Sequence, residues 1–219
     1  MKTNREIIEE VISEVVNQKQ LERYPQFVSE EYFSRGDAFI GLGFSAQPES
    51  DTLRLQFIAP GSPAEGVLEV GDELLWAAAG EQRWSTAEEI SQGFIGSFRG
   101  EAYRVGVRRG EQSLEFELSR GLVPGYDTPR EQARANLEEF ITEEFPDLRA
   151  EIRQIVADGE MVVALLEYRG THAGQGCEAI WQEAWFVRFA DGKIIEDWTV
   201  FNGSNYFRQL GYRMVPPGS

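Results

Sequence analysis

Two Asp-Gly pairs constrain this chain more than any other feature. Asp158-Gly159 stands between the apolar-alternating runs Ile152–Val156 and Met161–Tyr168, and Asp191-Gly192 stands between Cys177–Phe189 and Ile194–Phe201. Asp-Gly favours the positive φ angles of a tight hairpin turn, and period-two alternation favours a strand with one buried face. The last third of the chain therefore has to fold as long antiparallel hairpins.

Helices precede this sheet. Thr3-Asn4-Arg5-Glu6 is a capping box, and Ile7, Ile8, Val11, Ile12, Val15 and Val16 then recur on one helical face. A short helix is expected over Leu21–Val28, followed by Glu30-Glu31-Tyr32-Phe33. Thr128-Pro129-Arg130-Glu131 reads as a second capping box, with Leu137, Phe140, Ile141 and Phe145 as the stripe and Pro146 as the stop. A last helix is expected over Tyr206–Leu210. Between Ala38 and Gly121 the texture is different: Gly-rich, with short strand-like runs at Leu53–Ile58, Leu74–Trp76, Tyr103–Val107 and Leu114–Leu118, and one helix between Ser85 and Phe98.

Charge and composition exclude several functions. The chain has 219 residues with 21 Lys+Arg against 37 Asp+Glu, a net charge of −16 spread along its length. Such a body repels phosphate, which argues against nucleic acid and anionic membrane surfaces as partners. Cys177 and His172 are the single Cys and the single His, so an intrachain disulfide, a Cys-based zinc site and a multi-His metal site are all excluded. No metal or cofactor is implied. Met1–Gln20 carries charges throughout and lacks the apolar core of a signal peptide, so the expected location is cytoplasmic.

Ile40-Gly41-Leu42-Gly43-Phe44, then Pro60-Gly61-Ser62-Pro63-Ala64-Glu65, then Gly71-Asp72-Glu73-Leu74-Leu75 come in the order and spacing of the PDZ family, which residues 38–121 resemble. The resemblance implies a small β-barrel or sandwich with one or two helices that binds the C-terminal peptide of a partner protein. Gly41, Leu42, Gly43 and Phe44 would turn backbone N–H groups onto a terminal carboxylate. Thr86 or Ala87, with Ile90, would line the side-chain pocket.

The flanks carry a second motif set: Phe145-Pro146-Asp147-Leu148-Arg149, Gly170-Thr171-His172-Ala173-Gly174, Arg188-Phe189-Ala190-Asp191-Gly192-Lys193-Ile194-Ile195-Glu196-Asp197-Trp198 and Phe207-Arg208-Gln209-Leu210-Gly211. With these, residues 1–37 and 122–219 together resemble the SnoaL-like polyketide cyclase (ester cyclase) family of the NTF2-like superfamily. The implied fold is α+β: a cone of curved antiparallel sheet and helices around an apolar pocket, interrupted by the PDZ-like unit.

Alternation and resemblance together nominate the pocket residues. Trp181, Glu183 and Trp185 share a strand face, which would desolvate Glu183 and suit it to acid–base work; alternatively Glu183 lies on an exposed, dimer-like face or pairs with Arg169. On the last strand Ile194, Glu196, Trp198, Val200 and Asn202 alternate together, and Tyr168 adds to the wall. The family's proton-transferring Asp corresponds to Asn202, an amide that can donate a hydrogen bond but cannot shuttle a proton. His172 is either a locally bonded strand-end residue or a pocket base.

Three functions follow from these residues. One is a binding or scaffold protein with an apolar small molecule in the cone and a peptide in the inserted module, favoured by Asn202. Another is an enzyme of the cyclase, isomerase, lyase or hydrolase type, working by acid–base catalysis through Glu183 or His172. The third is a structural role as a homodimer through the sheet.

Overall fold

The structure, a computed structural model, describes residues 2–49, 52–93 and 99–213. In chain order the first elements are α1 (Asn4–Glu10, continued by a π-helical segment Val11–Asn17), a 3-10 turn Leu21–Arg23, α2 (Tyr24–Phe27) and β1 (Val28–Arg35). The middle elements are β2 (Phe39–Gly41), β3 (Phe44–Glu49), β4 (Thr52–Ile58), β5 (Glu73–Ala79), β6 (Gln82–Trp84), α3 (Ala87–Gly93), β7 (Ala102–Arg109), β8 (Gln112–Ser119) and β9 (Gly121–Val123). The last are β10 (Asp127–Pro129), α4 (Arg130–Glu139, continued by a π-helical segment Phe140–Glu144), β11 (Arg149–Asp158), β12 (Met161–His172), β13 (Cys177–Ala190), β14 (Lys193–Phe201) and α5 (Gly203–Gln209).

The chain divides into two compact units, one built from the residues up to Gly36 and from Asp127 onward, the other from Asp37–Tyr126. In the first unit six strands form one sheet in the order β10-β1-β14-β13-β12-β11. Its long hairpins turn at Gly159 (φ +57°) and at Asp191-Gly192 (φ +50° and +75°). The β1–β14 pairing is parallel, the others antiparallel. Thr3 and Glu6 form the capping box, the Thr3 Oγ1 accepting from the Glu6 N–H while the Glu6 carboxylate accepts from the Thr3 N–H at 2.7 Å. The α1 stripe then buries Ile7, Ile8, Val11, Ile12, Val15 and Val16 against Leu148, Val162, Ala164, Leu166 and Val187. Each such aliphatic side chain contributes about 1.5–3 kcal/mol on burial.

The second capping box does not form. Thr128 and Pro129 are held in β10, paired with Ser34 and Phe33 of β1, and α4 begins at Arg130 with no side-chain cap. The short expected helix over Leu21–Val28 likewise stops at Phe27, because Val28 already pairs with Ile194.

The second unit is a five-strand path β3-β4-β5-β7-β8, with β6 paired to β5 and a separate β2–β9 ribbon. That ribbon keeps Gly121–Val123 with this unit rather than with the flank. Its core holds Leu55, Leu74, Ala77, Ile90, Tyr103, Val105 and Val107. The expected helix Ser85–Phe98 is seen as Ala87–Gly93, and residues 94–98 lie outside the described residues. Among the described residues no helix is long and apolar enough to cross a membrane.

Candidate functional site

The first unit encloses a cavity of about 280 Å³. Val11, Ile12 and Val16 supply an aliphatic wall; α2 and β1 add Tyr24, Val28, Tyr32 and Ser34; and α4 adds Ala133, Asn136 and Leu137, with Phe140 just beyond it. The sheet contributes Tyr168, Glu183, Trp185, Ile194, Asp197 and Thr199, and Thr128 completes the lining.

Strand alternation holds along β13. Glu183 and Trp185 reach the cavity, while Trp181 is buried beside it, stacked on Tyr168 with ring centroids 5.2 Å apart. Burial pushes the Glu183 carboxyl up to about 7; a hydrogen bond from Tyr168 pulls it back, the Asp197 charge adds to the rise, and Trp181 lowers it slightly. The same burial, with Glu183 close by, holds the Tyr168 phenol well above its usual range.

Alternation fails along β14, and the cause is a β-bulge. Arg188 pairs with Glu196 and Phe189 pairs with Ile194, leaving Ile195 without a cross-strand partner. One extra residue reverses every side chain beyond it. Ile194 therefore faces the cavity together with Asp197 and Thr199, while Glu196 and Trp198 are turned to the opposite face. There Glu196 is ion-paired with Arg35 and with Arg188 (2.8 Å), and Trp198 stacks on Phe186 at 5.1 Å under the Arg35 guanidinium. These two residues were expected in the pocket and are not in its lining.

Asp197 takes the place expected for Glu196. The Tyr32 hydroxyl donates to its Oδ1 at 2.8 Å, the Trp185 indole N–H donates to its Oδ2 at 2.8 Å, and Ser34 adds a third hydrogen bond. Burial pushes its carboxyl up, and those three hydrogen bonds oppose the rise. Burial and the Asp197 charge in turn hold the phenols of Tyr24 and Tyr32 well above their usual range. The site thus contains two half-buried carboxyl groups on neighbouring strands, with the Trp185–Thr199 pair between them.

Two other nominated residues lie outside this cavity. Asn202 is exposed and caps α5, its Oδ1 accepting from the Asn205 N–H at 3.1 Å. His172 ends β12, meets the Phe145 ring edge-on at 5.1 Å, and its Nδ1 accepts from the Gln175 N–H at 3.2 Å. Among the described residues no group of three His, Cys, Asp or Glu side chains is placed to hold a metal ion.

In the second unit Gly41, Leu42, Gly43 and Phe44 line a cavity of about 400 Å³ with Phe39, Ile40, Ala46, Leu53, Leu74 and Arg120. Gly43 has φ +83°, and a Cβ there would fall 2.1 Å from the Ser62 Cβ, so only glycine fits. Thr86 and Ile90 do not line this cavity. The Thr86 hydroxyl caps α3 by accepting from the Glu89 N–H at 3.2 Å, and Ile90, 1% exposed, is core.

Residues 122–210 match the family described as SnoaL-like polyketide cyclase. Two solved structures share the fold. IdmH from Streptomyces antibioticus, described as a candidate polyketide cyclase, aligns with TM-score 0.51 and 16% identity over 96% of this chain and 100% of its own. A candidate SnoaL-like polyketide cyclase from Jannaschia sp. CCS1 aligns with TM-score 0.51 and 11% identity over 96% of this chain and 93% of its own. No curated protein matches the sequence. The likeness in sequence to SnoaL-like polyketide cyclases thus covers residues 122–210, and the two solved structures share the α+β fold.

Proposed function

We propose that the cone is an acid–base site for a small, largely apolar carbonyl compound, working by proton abstraction and ring closure of the polyketide-cyclase type. The observation that carries this reading is Glu183: a carboxyl group facing an apolar cavity with its pKa pushed up to about 7. A base of that strength is half ionised at neutral pH and moves a proton in either direction. Its carboxylate takes a proton from the carbon beside the carbonyl, leaving an enolate, and returns it to the alkoxide formed when the ring closes. The enolate oxygen takes a hydrogen bond from Tyr24, a cavity phenol that is hydrogen-bonded to Tyr32 and turns to the ligand when one enters. The binding-only reading leaned on Asn202, and Asn202 caps a helix instead of lining the cavity. The test is turnover of neutral aldol-type ester substrates by the full chain and by Glu183→Gln. Loss of turnover with unchanged binding supports the reading, and full activity in Glu183→Gln ends it.

A second reading concerns the middle unit, which we propose binds the free C-terminus of a peptide. Its support is the Gly41–Phe44 loop lining a cavity beside β3, which among the described residues pairs in the sheet with β4 alone and so offers an open edge. If converting a bound peptide's terminal carboxylate to an amide leaves affinity unchanged, this reading is wrong.

A further inference from the structure

We propose that the cone cavity takes an organic cation, a protonated or quaternary amine carried on an apolar body. This rests on reading the cavity as a ligand site, and goes further by assigning the charge of what enters.

Three independent observations converge on a cation. First, the lining contains two carboxyl side chains, Glu183 and Asp197, and no Lys, Arg or His. The groups facing Glu183 are the Tyr168 hydroxyl from β12, Asp197 from β14 and Trp181 on its own strand. Those facing Asp197 are Ser34 and Tyr32 from β1, Trp185 from β13 and Glu196 beside it. Arg130 of α4 lies outside the lining, lowers the Tyr24 phenol, and is paired with Glu131 at 3.1 Å. A buried carboxylate without a cation is costly, and an entering ammonium removes that cost.

Second, the walls are rich in π faces: Tyr24, Tyr32, Phe140, Tyr168 and Trp185 all border the cavity. Aromatic rings around an apolar ammonium attract it through their quadrupoles, an interaction that strengthens when the site is dry. Third, the whole chain carries −16, so its field draws cations toward the surface and repels anions. Glu183 also keeps acceptor capacity for a ligand, since its hydrogen bonds come from Tyr168 and Trp181 while a carboxylate has about four acceptor sites.

The experiment is calorimetric titration of the full chain at pH 6, 7 and 8 with three probes of similar shape: benzyltrimethylammonium, its neutral isostere neopentylbenzene, and phenylacetate. The expected result at pH 8 is that the ammonium binds roughly tenfold tighter than the isostere, with phenylacetate weakest. The preference shrinks toward pH 6 as Glu183 takes up its proton, and Glu183→Gln removes the pH dependence. Equal affinity for the ammonium and the isostere, or a preference for phenylacetate, overturns the proposal, as does ammonium binding that is indifferent to pH in the unaltered chain. The unaltered chain suffices if Glu183→Gln fails to fold. Such a failure is separable from failure of the acid–base reading, which is judged by turnover of neutral substrates.

Discussion

The Trp185 indole N–H meets the Asp197 carboxylate at 2.8 Å across two antiparallel strands, joining a ring to an acid whose side chain shares the cavity with it. Trp185 lies directly across from Thr199, so this bond runs diagonally over the sheet face. It fixes the rotamer of a wall residue and gives a dry carboxylate one of its donors. Removing parts of this arrangement has distinguishable consequences.

Tyr32→Phe deletes the hydroxyl that donates to Asp197 at 2.8 Å. Hydrogen bonds to charged acceptors are worth about 1.5–3 kcal/mol, so chemical denaturation at pH 7 should show a loss in that range. The Asp197 carboxyl, with one opposing donor gone, should titrate still higher by carbon-13 NMR. An unmoved Asp197 titration contradicts the arrangement.

Glu183→Gln should stabilise the fold at alkaline pH. Burial raises the folded Glu183 carboxyl from its ordinary 4.5 to about 7, so over that window the folded state binds more protons than the unfolded state. Stability conferred by the protonated group is therefore present below 4.5 and lost as pH rises through about 7. Relative to the unaltered chain, Glu183→Gln should gain about 3 kcal/mol at pH 8 and little at pH 4, measured by urea denaturation at both pH values.

In the middle unit, Gly106→Ala should destabilise. A Cβ at Gly106 would fall 2.0 Å from the Trp76 Nε1, a contact that β5 and β7 cannot relieve without shifting. Overpacking of this kind costs about 1–3 kcal/mol. Denaturation should show that loss, and Trp76→Ala in the same chain should recover part of it, because the two substitutions share one space.

Arg109→Ala strands a buried acid. Asp72 is 1% exposed and receives Arg109 in a two-pronged pair, Nε to Oδ1 at 2.8 Å and a terminal nitrogen to Oδ2 at 2.7 Å. Burial pushes the Asp72 carboxyl up, but Arg109 and the Glu69 N–H together hold it below its usual range. The pair's stabilisation is thus present above the ordinary aspartate range and lost in acid. Arg109→Ala should cost about 3 kcal/mol at pH 7 and less as pH falls and Asp72 becomes neutral, followed by circular dichroism melts.

The hairpins and Glu183 were legible because they depend on local rules. Asp-Gly turns and period-two alternation act within a few residues, and the odd positions of β13 point where their spacing says. Asp197 was not legible for two physical reasons. The bulge at Ile195 has no marker in residue type, yet it inverts the strand beyond it. Its donor Tyr32 lies 165 positions away and arrives only through a parallel β1–β14 pairing that no local pattern encodes. Asn202 and Thr86 illustrate the opposite error. Small polar residues before a helix are drawn to its free N–H groups, and that local role outcompeted the pocket role that resemblance suggested.

The bulge at Ile195 also has a consequence for how this strand can vary. Glu196 and Asp197 are adjacent acids in antiphase, one neutralised by two arginines on the far side of the sheet, the other enclosed with tyrosines and a tryptophan. Because Phe189 pairs with Ile194 and the next residue, Arg188, with Glu196, loss of Ile195 alone would leave a regular ladder with both acids on their present sides. The bulged residue is therefore dispensable to which acid the cavity receives; that choice is held by the pairing of Glu196 with Arg188 and of Asp197 with Val187.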